Sequence, residues 1–189
     1  MKRSWALVVM GAWLMGTVCT SVVATENFYI IDRLLAASPN SSFTAAVQQL
    51  GQPQARELLR YLSSELNRLY FQMWNVAQLV LGGLVLWLVA GSRQQDPARV
   101  RRAVRGVLAM LAIVVAMLMW LTPSIVSLGR SLDFVPRDPA PAGMQRFWVL
   151  HAAYTSLEML KLTVGVVITW WIAKSSPAGS AADDSTARL

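Results

Sequence analysis

Cysteine and histidine are almost absent from this chain of 189 residues, which has one of each, Cys19 and His151. A single cysteine excludes an intrachain disulfide and any zinc or iron–sulfur site built from several cysteines. A single histidine excludes a haem held by two histidines. The sequence also has no glycine-rich phosphate loop, no His-Glu-x-x-His and no Gly-x-Ser-x-Gly motif. These absences predict no enzymatic activity, no metal site and no cofactor.

Charged residues are also scarce, at 14% of the chain, whereas soluble domains have about 25%. The apolar residues form four separate blocks, at about 5–23, 71–90, 107–126 and 147–173. As a helix, each block is long enough to cross the ~30 Å hydrocarbon core of a membrane. The sequence therefore predicts an all-α integral membrane bundle of four helices, with one domain at 1–173 and a disordered tail at 174–189.

The basic residues favour one orientation of these spans. Lys2, Arg3, Lys174 and the five arginines of the 91–105 loop all fall on the same side of a four-span protein, which predicts that this side is cytoplasmic. We therefore expect a bacterial inner (plasma) membrane protein with both termini in the cytoplasm. The net charge of +7 is explained by this arrangement of basic residues, so we do not expect nucleic-acid binding. The first block is longer than a signal-peptide core of ~7–15 residues, which favours an uncleaved anchor.

The longest connection, 25–70, is predicted to contain helical structure. Residues 32–37 extend the first helix, the stretch from Ser38 to Ser41 predicts a turn, and Pro53 suits the first position of a new helix. Beyond it, leucines recur at helical spacing at positions 58, 59, 62, 66 and 69, while Arg60 and Asn67 face the other way. This pattern predicts an amphipathic helix in the first outer loop that runs into the second span.

Polar residues inside the spans are the candidate site residues, because an unpaired charge there costs at least about 2.5–3.5 kcal/mol. In the fourth span, Glu158 lies ~17 Å along the helix from Phe147. His151, Thr155 and Glu158 are predicted to share one face, and Lys161 can pair with Glu158. In the second span, Asn75 and Gln78 follow at a spacing of three. These six residues are either a ligand or proton site, or polar groups that fix helix packing.

Three functions are compatible with this pattern. The first is a non-enzymatic membrane component that binds a partner protein, a lipid or a small ligand in the outer half of the bundle. Such a component is also expected to contact membrane lipids and to be able to form a homo-oligomer. The second is a proton- or ion-coupled carrier that uses Glu158, Lys161 and His151. The third is a redox subunit with haem held by His151 and a methionine.

Four short segments resemble one family in order along the chain. They are residues 22–28, Leu66-Asn67-Arg68-Leu69-Tyr70, Pro123-Ser124-Ile125-Val126-Ser127-Leu128 and residues 147–158. Together they resemble the transmembrane-protein-205-like group, four-helix membrane proteins classed as a domain of unknown function. The resemblance implies a four-helix integral membrane fold and no established reaction. The chain departs from the family pattern at Thr25, at Ala153-Tyr154 and at Glu158, which weakens the transfer of any site residue.

Overall fold

A computed structural model describes residues 1–92 and 97–174, and within these ranges all regular structure is helical. The helices are α1 (Lys2–Ala37), α2 (Ser41–Leu50), α3 (Gln52–Ala90), α4 (Pro97–Ala116), α5 (Thr122–Ser131) and α6 (Met144–Lys174), with a π-helical turn at Met117–Leu121 between α4 and α5. The all-α class is thus confirmed. Apart from Lys174, which ends α6, the predicted tail lies outside the described residues.

Four helices are long and apolar enough to cross a membrane: α1, α3, the continuous helical stretch Pro97–Ser131, and α6. They contain the four apolar blocks of the sequence, and each extends beyond its block. In each helix only 22–33% of the most apolar window is buried. Large apolar side chains such as Met73, Trp120 and Val166 are therefore exposed along these helices.

The connection between the first and second apolar blocks is almost entirely helical. As the sequence predicts, α1 continues to Ala37 and a helix starts next to Pro53. The short helix α2 was not predicted; the Asn40 side chain caps it by accepting a hydrogen bond from the backbone N–H of Phe43 at 2.8 Å. The segment predicted to be amphipathic is the first part of α3, where Leu58, Leu62 and Leu69 are exposed while Ser63 and Asn67 are buried.

Pro123 lies within the third helical stretch, and proline is a type of residue that normally kinks or ends a helix. The chain remains helical for a further ten residues, as α5. Proline lacks an N–H and its ring crowds the carbonyl four residues earlier, at Met119. The π turn at 117–121 lies at this point in the chain, and such turns accommodate a broken hydrogen-bond ladder without ending the helix.

The chain forms two compact units, to which all four long helices contribute. The first unit comprises 1–17, 76–116 and the residues from 156 onward. Small residues allow close packing here: a Cβ added to Gly82 would lie 2.5 Å from Leu111, and one added to Gly165 would lie 2.5 Å from Leu14.

The second unit comprises 18–75 and 117–155. It has an apolar cluster in which Ile31, Leu35 and Ala55 are buried against α2 side chains. Polar contacts join α1 to α3 in the same unit. The Asn67 amide donates to the Ala24 carbonyl at 2.8 Å and accepts from the Asn27 amide at 2.7 Å.

Candidate functional site

A cavity of about 370 Å³ lies in the second unit. Cavities of this size are typical of small-ligand sites, which span about 300–1,000 Å³. Helices α1, α3, α5 and α6 and the segment between α5 and α6 all contribute to its wall. Its aromatic and aliphatic lining is Phe28, Phe71, Ile125, Val126, Leu132, Phe147 and Trp148, and its polar lining includes Arg60, Ser64, Asn67, Arg68, Thr122, Asp133, Arg137, His151 and Tyr154.

One face of α3 supplies much of this wall. Arg60, Ser64, Asn67, Arg68 and Phe71 all line the cavity. Arg60, Ser64, Asn67 and Phe71 are spaced by three or four residues, which places them on one side of a helix, and Arg68 lies next to Asn67 at the edge of that side. Because the rise is 1.5 Å per residue, this stripe runs for about 16 Å.

Arg68 is the most enclosed of the lining cations and is fully paired. Its guanidinium donates to both Asp133 carboxylate oxygens, at 3.1 and 2.9 Å, and to Glu65 at 2.5 Å. The Arg68 and Asp133 side chains are only 12% and 13% exposed. This ion pair fixes the segment after α5 against α3, and a buried pair of this kind resists the loss of either partner.

Arg137 differs from the other lining cations. Arg60 is paired with Glu57 at 3.0 Å, and Arg68 with two carboxylates. Among the described residues, no carboxylate lies within 4 Å of the Arg137 guanidinium, although Arg137 lines the cavity and is exposed to solvent. Partial burial lowers the pKa of Arg137, and the nearby positive charge of Arg60 lowers it further. A solvent-exposed arginine without an ion pair in the described part of the chain therefore lines the cavity.

Part of the wall is aromatic. The Phe71 and Tyr154 rings pack with centroids 5.1 Å apart. The His151 ring lies nearly parallel to the Phe147 ring at 6.0 Å and edge-on to Trp148 at 6.1 Å. His151 is thus a half-buried member of an aromatic wall.

Asn75 lies next to this wall and supports it. Its amide donates to the Thr122 hydroxyl at 3.0 Å, and its carbonyl accepts a longer hydrogen bond from the Tyr154 hydroxyl at 3.4 Å. Asn75 is fully buried and does not line the cavity itself. These contacts hold Thr122 and Tyr154, which do line it.

A separate polar cluster lies in the first unit. The Lys161 ammonium donates to Glu158 Oε1 at 2.8 Å and to Gln78 Oε1 at 2.6 Å. Gln78 Oε1 also accepts from the Trp13 indole at 3.0 Å, and its Nε2 donates to Glu158 Oε1 at 3.4 Å. Lys161 is 2% exposed and Glu158 6%. Glu158 Oε2 has no hydrogen-bond partner among the described residues.

The six predicted site residues therefore divide between two places. Gln78, Glu158 and Lys161 meet in the first unit, and the predicted pairing of Glu158 with Lys161 is present. His151 lies in the wall of the cavity in the second unit, and Asn75 beside that wall. Thr155 is exposed, and its hydroxyl donates to the His151 carbonyl at 3.1 Å, so it does not share a buried face with Glu158.

Sequence reasoning missed Arg137 and Asp133. Both lie in the segment after α5, and nothing in the local pattern relates Asp133 to Arg68, which is 65 positions earlier. One usable signal was present in α3, where Arg60 and Asn67 lie opposite the leucine stripe. That polar face is the one that lines the cavity.

No family model, curated protein or solved structure matches this chain. Within residues 1–92 and 97–174, no three side chains of histidine, cysteine, aspartate or glutamate are grouped so that they could hold a metal ion. The chemistry of the cavity and of the Glu158 cluster is thus the basis for assigning a function.

Proposed function

We propose that this chain is a multi-pass membrane protein, without enzymatic activity, that binds a lipid or another small amphiphilic ligand in the cavity of its second unit. The observation that carries the proposal is the lining of the cavity, which combines an aromatic and aliphatic wall with a few convergent polar groups. That combination is typical of small-molecule sites, because the apolar wall supplies affinity and the polar groups fix orientation.

Insertion into a membrane is part of this proposal. Most of the apolar surface of the four long helices is exposed, and in water so large an exposed apolar area would be unfavourable. The arginines between the second and third apolar blocks, four of which lie in the first turns of α4, support a plasma-membrane orientation with both termini in the cytoplasm. We also propose that the chain is a member of the transmembrane-protein-205-like group. Its exposed faces are the proposed contact surface for a protein partner or for a second copy of the chain.

The test is native mass spectrometry of protein extracted in mild detergent from its own membranes. We expect a reproducible extra mass on the wild-type chain. Val126→Trp should remove this mass, because Val126 lines the cavity and the larger ring fills it. Val22→Trp is the matched control, since Val22 is exposed in the same unit and does not line the cavity. A bare wild-type chain, or a mass that both variants retain, would contradict the proposal.

A second candidate function is a proton- or ion-coupled carrier. It is favoured by the buried Glu158 Oε2 atom, which lacks a hydrogen-bond partner within the described ranges, since ionisable groups inside membrane spans often bind protons or ions. Glu158→Gln tests it in proteoliposomes, with Glu26→Gln as control because Glu26 is exposed and paired only with Arg33. Intact folding with loss of pH-dependent flux supports a carrier. Loss of assembled protein supports a packing role for Glu158.

A further inference from the structure

The charged side chains that line the cavity do not balance. Three arginines line it, Arg60, Arg68 and Arg137, together with one carboxylate, Asp133. Arg60 is paired with Glu57, and Arg68 with Asp133 and Glu65. Asp138, the next acid along the chain, does not line the cavity and forms no ion pair with Arg137. Within residues 1–92 and 97–174, Arg137 is therefore a lining arginine without a carboxylate partner.

Charged and aromatic side chains both line the cavity. Arg60, Glu57 and Asp133 all influence Arg137 electrostatically, so Arg137 lies near these residues. Along α3 the lining residues are Arg60, Ser64, Asn67, the fully paired Arg68 and then Phe71. Phe71 packs against Tyr154, and this aromatic end lies about 16 Å along the helix from Arg60.

We infer that the ligand is a single-chain amphiphile with a monoanionic head, whose head pairs with Arg137 and whose hydrocarbon chain lies against the Phe71 end. This inference rests on the proposed function of the cavity. The guanidinium offers a planar pair of N–H donors that matches a carboxylate or a phosphate. A monoanion neutralises the single unpaired charge, whereas an uncharged head leaves it unpaired.

Photoreactive single-chain probes in zwitterionic nanodiscs test the inference. Four probes share one hydrocarbon chain carrying a diazirine and differ in the head: a fatty-acid carboxylate, lysophosphatidylglycerol, zwitterionic lysophosphatidylcholine and uncharged monoacylglycerol. Crosslinking is quantified and mapped by mass spectrometry on the full chain. The first two probes distinguish a carboxylate from a phosphate source of the charge.

The variants are Arg137→Gln and, as matched control, Arg146→Gln. Arg146 is an exposed arginine of the same unit that does not line the cavity, so both variants remove one positive charge. We expect one or both anionic probes to label the cavity in the wild type about tenfold more than the uncharged probe. Arg137→Gln should abolish this preference while labelling by the uncharged probe persists. Arg146→Gln should retain it.

The remaining outcomes overturn one claim or both. The inference about the head is wrong if the preference for anionic probes survives in Arg137→Gln. It is also wrong if the zwitterionic or uncharged probe labels the wild-type cavity as strongly as the anionic probes do. In both cases the proposal of ligand binding in the cavity stands. If no probe labels the cavity residues, or if Val126→Trp labels as the wild type does, the proposed function fails together with the inference.

Discussion

Removing one partner from the buried pair of Lys161 and Glu158 should strongly destabilise the protein. In Lys161→Met, the Glu158 carboxylate keeps only the long 3.4 Å hydrogen bond from Gln78, while its side chain is 8% exposed. Breaking a buried ion pair in this way costs about 3–5 kcal/mol, because the remaining charge is left uncompensated. Glu158→Met should cost a similar amount. The buried ammonium then loses its counter-charge and, like the carboxylate in Lys161→Met, keeps one hydrogen bond to Gln78.

The double variant Lys161→Met/Glu158→Met separates packing from charge. Replacing a whole buried pair by apolar side chains of similar volume is often neutral or stabilising, because no uncompensated charge remains. We therefore expect the double variant to be more stable than either single variant. The coupling free energy in the cycle should exceed about 2 kcal/mol.

Reversible unfolding in mixed micelles, followed by circular dichroism and tryptophan fluorescence, measures these free energies. Thr163→Met is the control, because Thr163 is exposed on the same helix and its substitution should change stability by less than about 0.5 kcal/mol. Strictly additive losses in the double variant would refute the reasoning, since they would mean that Lys161 and Glu158 do not compensate each other. Single variants as stable as the Thr163 control would refute it equally.

Three further predictions concern packing and capping. Gly82→Ala should lower stability by about 1–3 kcal/mol in the same unfolding assay, because the added Cβ would meet Leu111 at 2.5 Å. Gly83→Ala is the control: its Cβ would meet nothing within 4 Å, so this variant should gain up to about 1 kcal/mol of stability. Asn67→Leu should cost about 1–3 kcal/mol, since it leaves the carbonyl of buried Ala24 and the half-buried Asn27 amide without their Asn67 partners. Asn40→Ala should cost about 1 kcal/mol and raise hydrogen exchange in α2 alone.

Each of these predictions has an outcome that contradicts it. Equal stability of the two glycine variants would mean that the close approach at Gly82 is relieved at no cost. An Asn67→Leu protein as stable as the wild type would show that its two side-chain hydrogen bonds contribute nothing net. Unchanged exchange in α2 of Asn40→Ala would show that this helix does not depend on its cap.

The sequence predicts the helices well and their contacts poorly. Apolar block length suffices to identify four helices, since that property is local. The helix α2 escapes it because ten residues with two alanines and two glutamines form no apolar block. Proline chemistry alone predicts a kink or an end near Pro123, but it does not reveal that a π turn lies there and that the chain continues as a helix.

The candidate site shows the same limit. Glu158 and Lys161 are three residues apart on one helix, so their pairing was predictable. The groups that complete the cluster are distant in sequence: Gln78 lies 83 positions before Lys161, and Trp13 lies 65 positions before Gln78. The predicted shared face of His151, Thr155 and Glu158 is not uniformly buried, because Thr155 is exposed whereas Glu158 is buried. Helical spacing alone places residues on one side of a helix but does not reveal which of them the neighbouring helices cover.

The state of the polar groups favours ligand binding in the cavity over proton transport at Glu158. In the first unit, Glu158 and Lys161 neutralise each other, and Gln78 occupies a further donor of Lys161. A proton or ion that binds there has to displace contacts that already stabilise the fold, at a cost comparable to breaking the pair. Arg137 has no ion pair to lose within the described residues and is open to solvent. An anion that reaches Arg137 therefore gains a charge-assisted contact without breaking one, which makes the cavity the less costly place for this protein to bind a ligand.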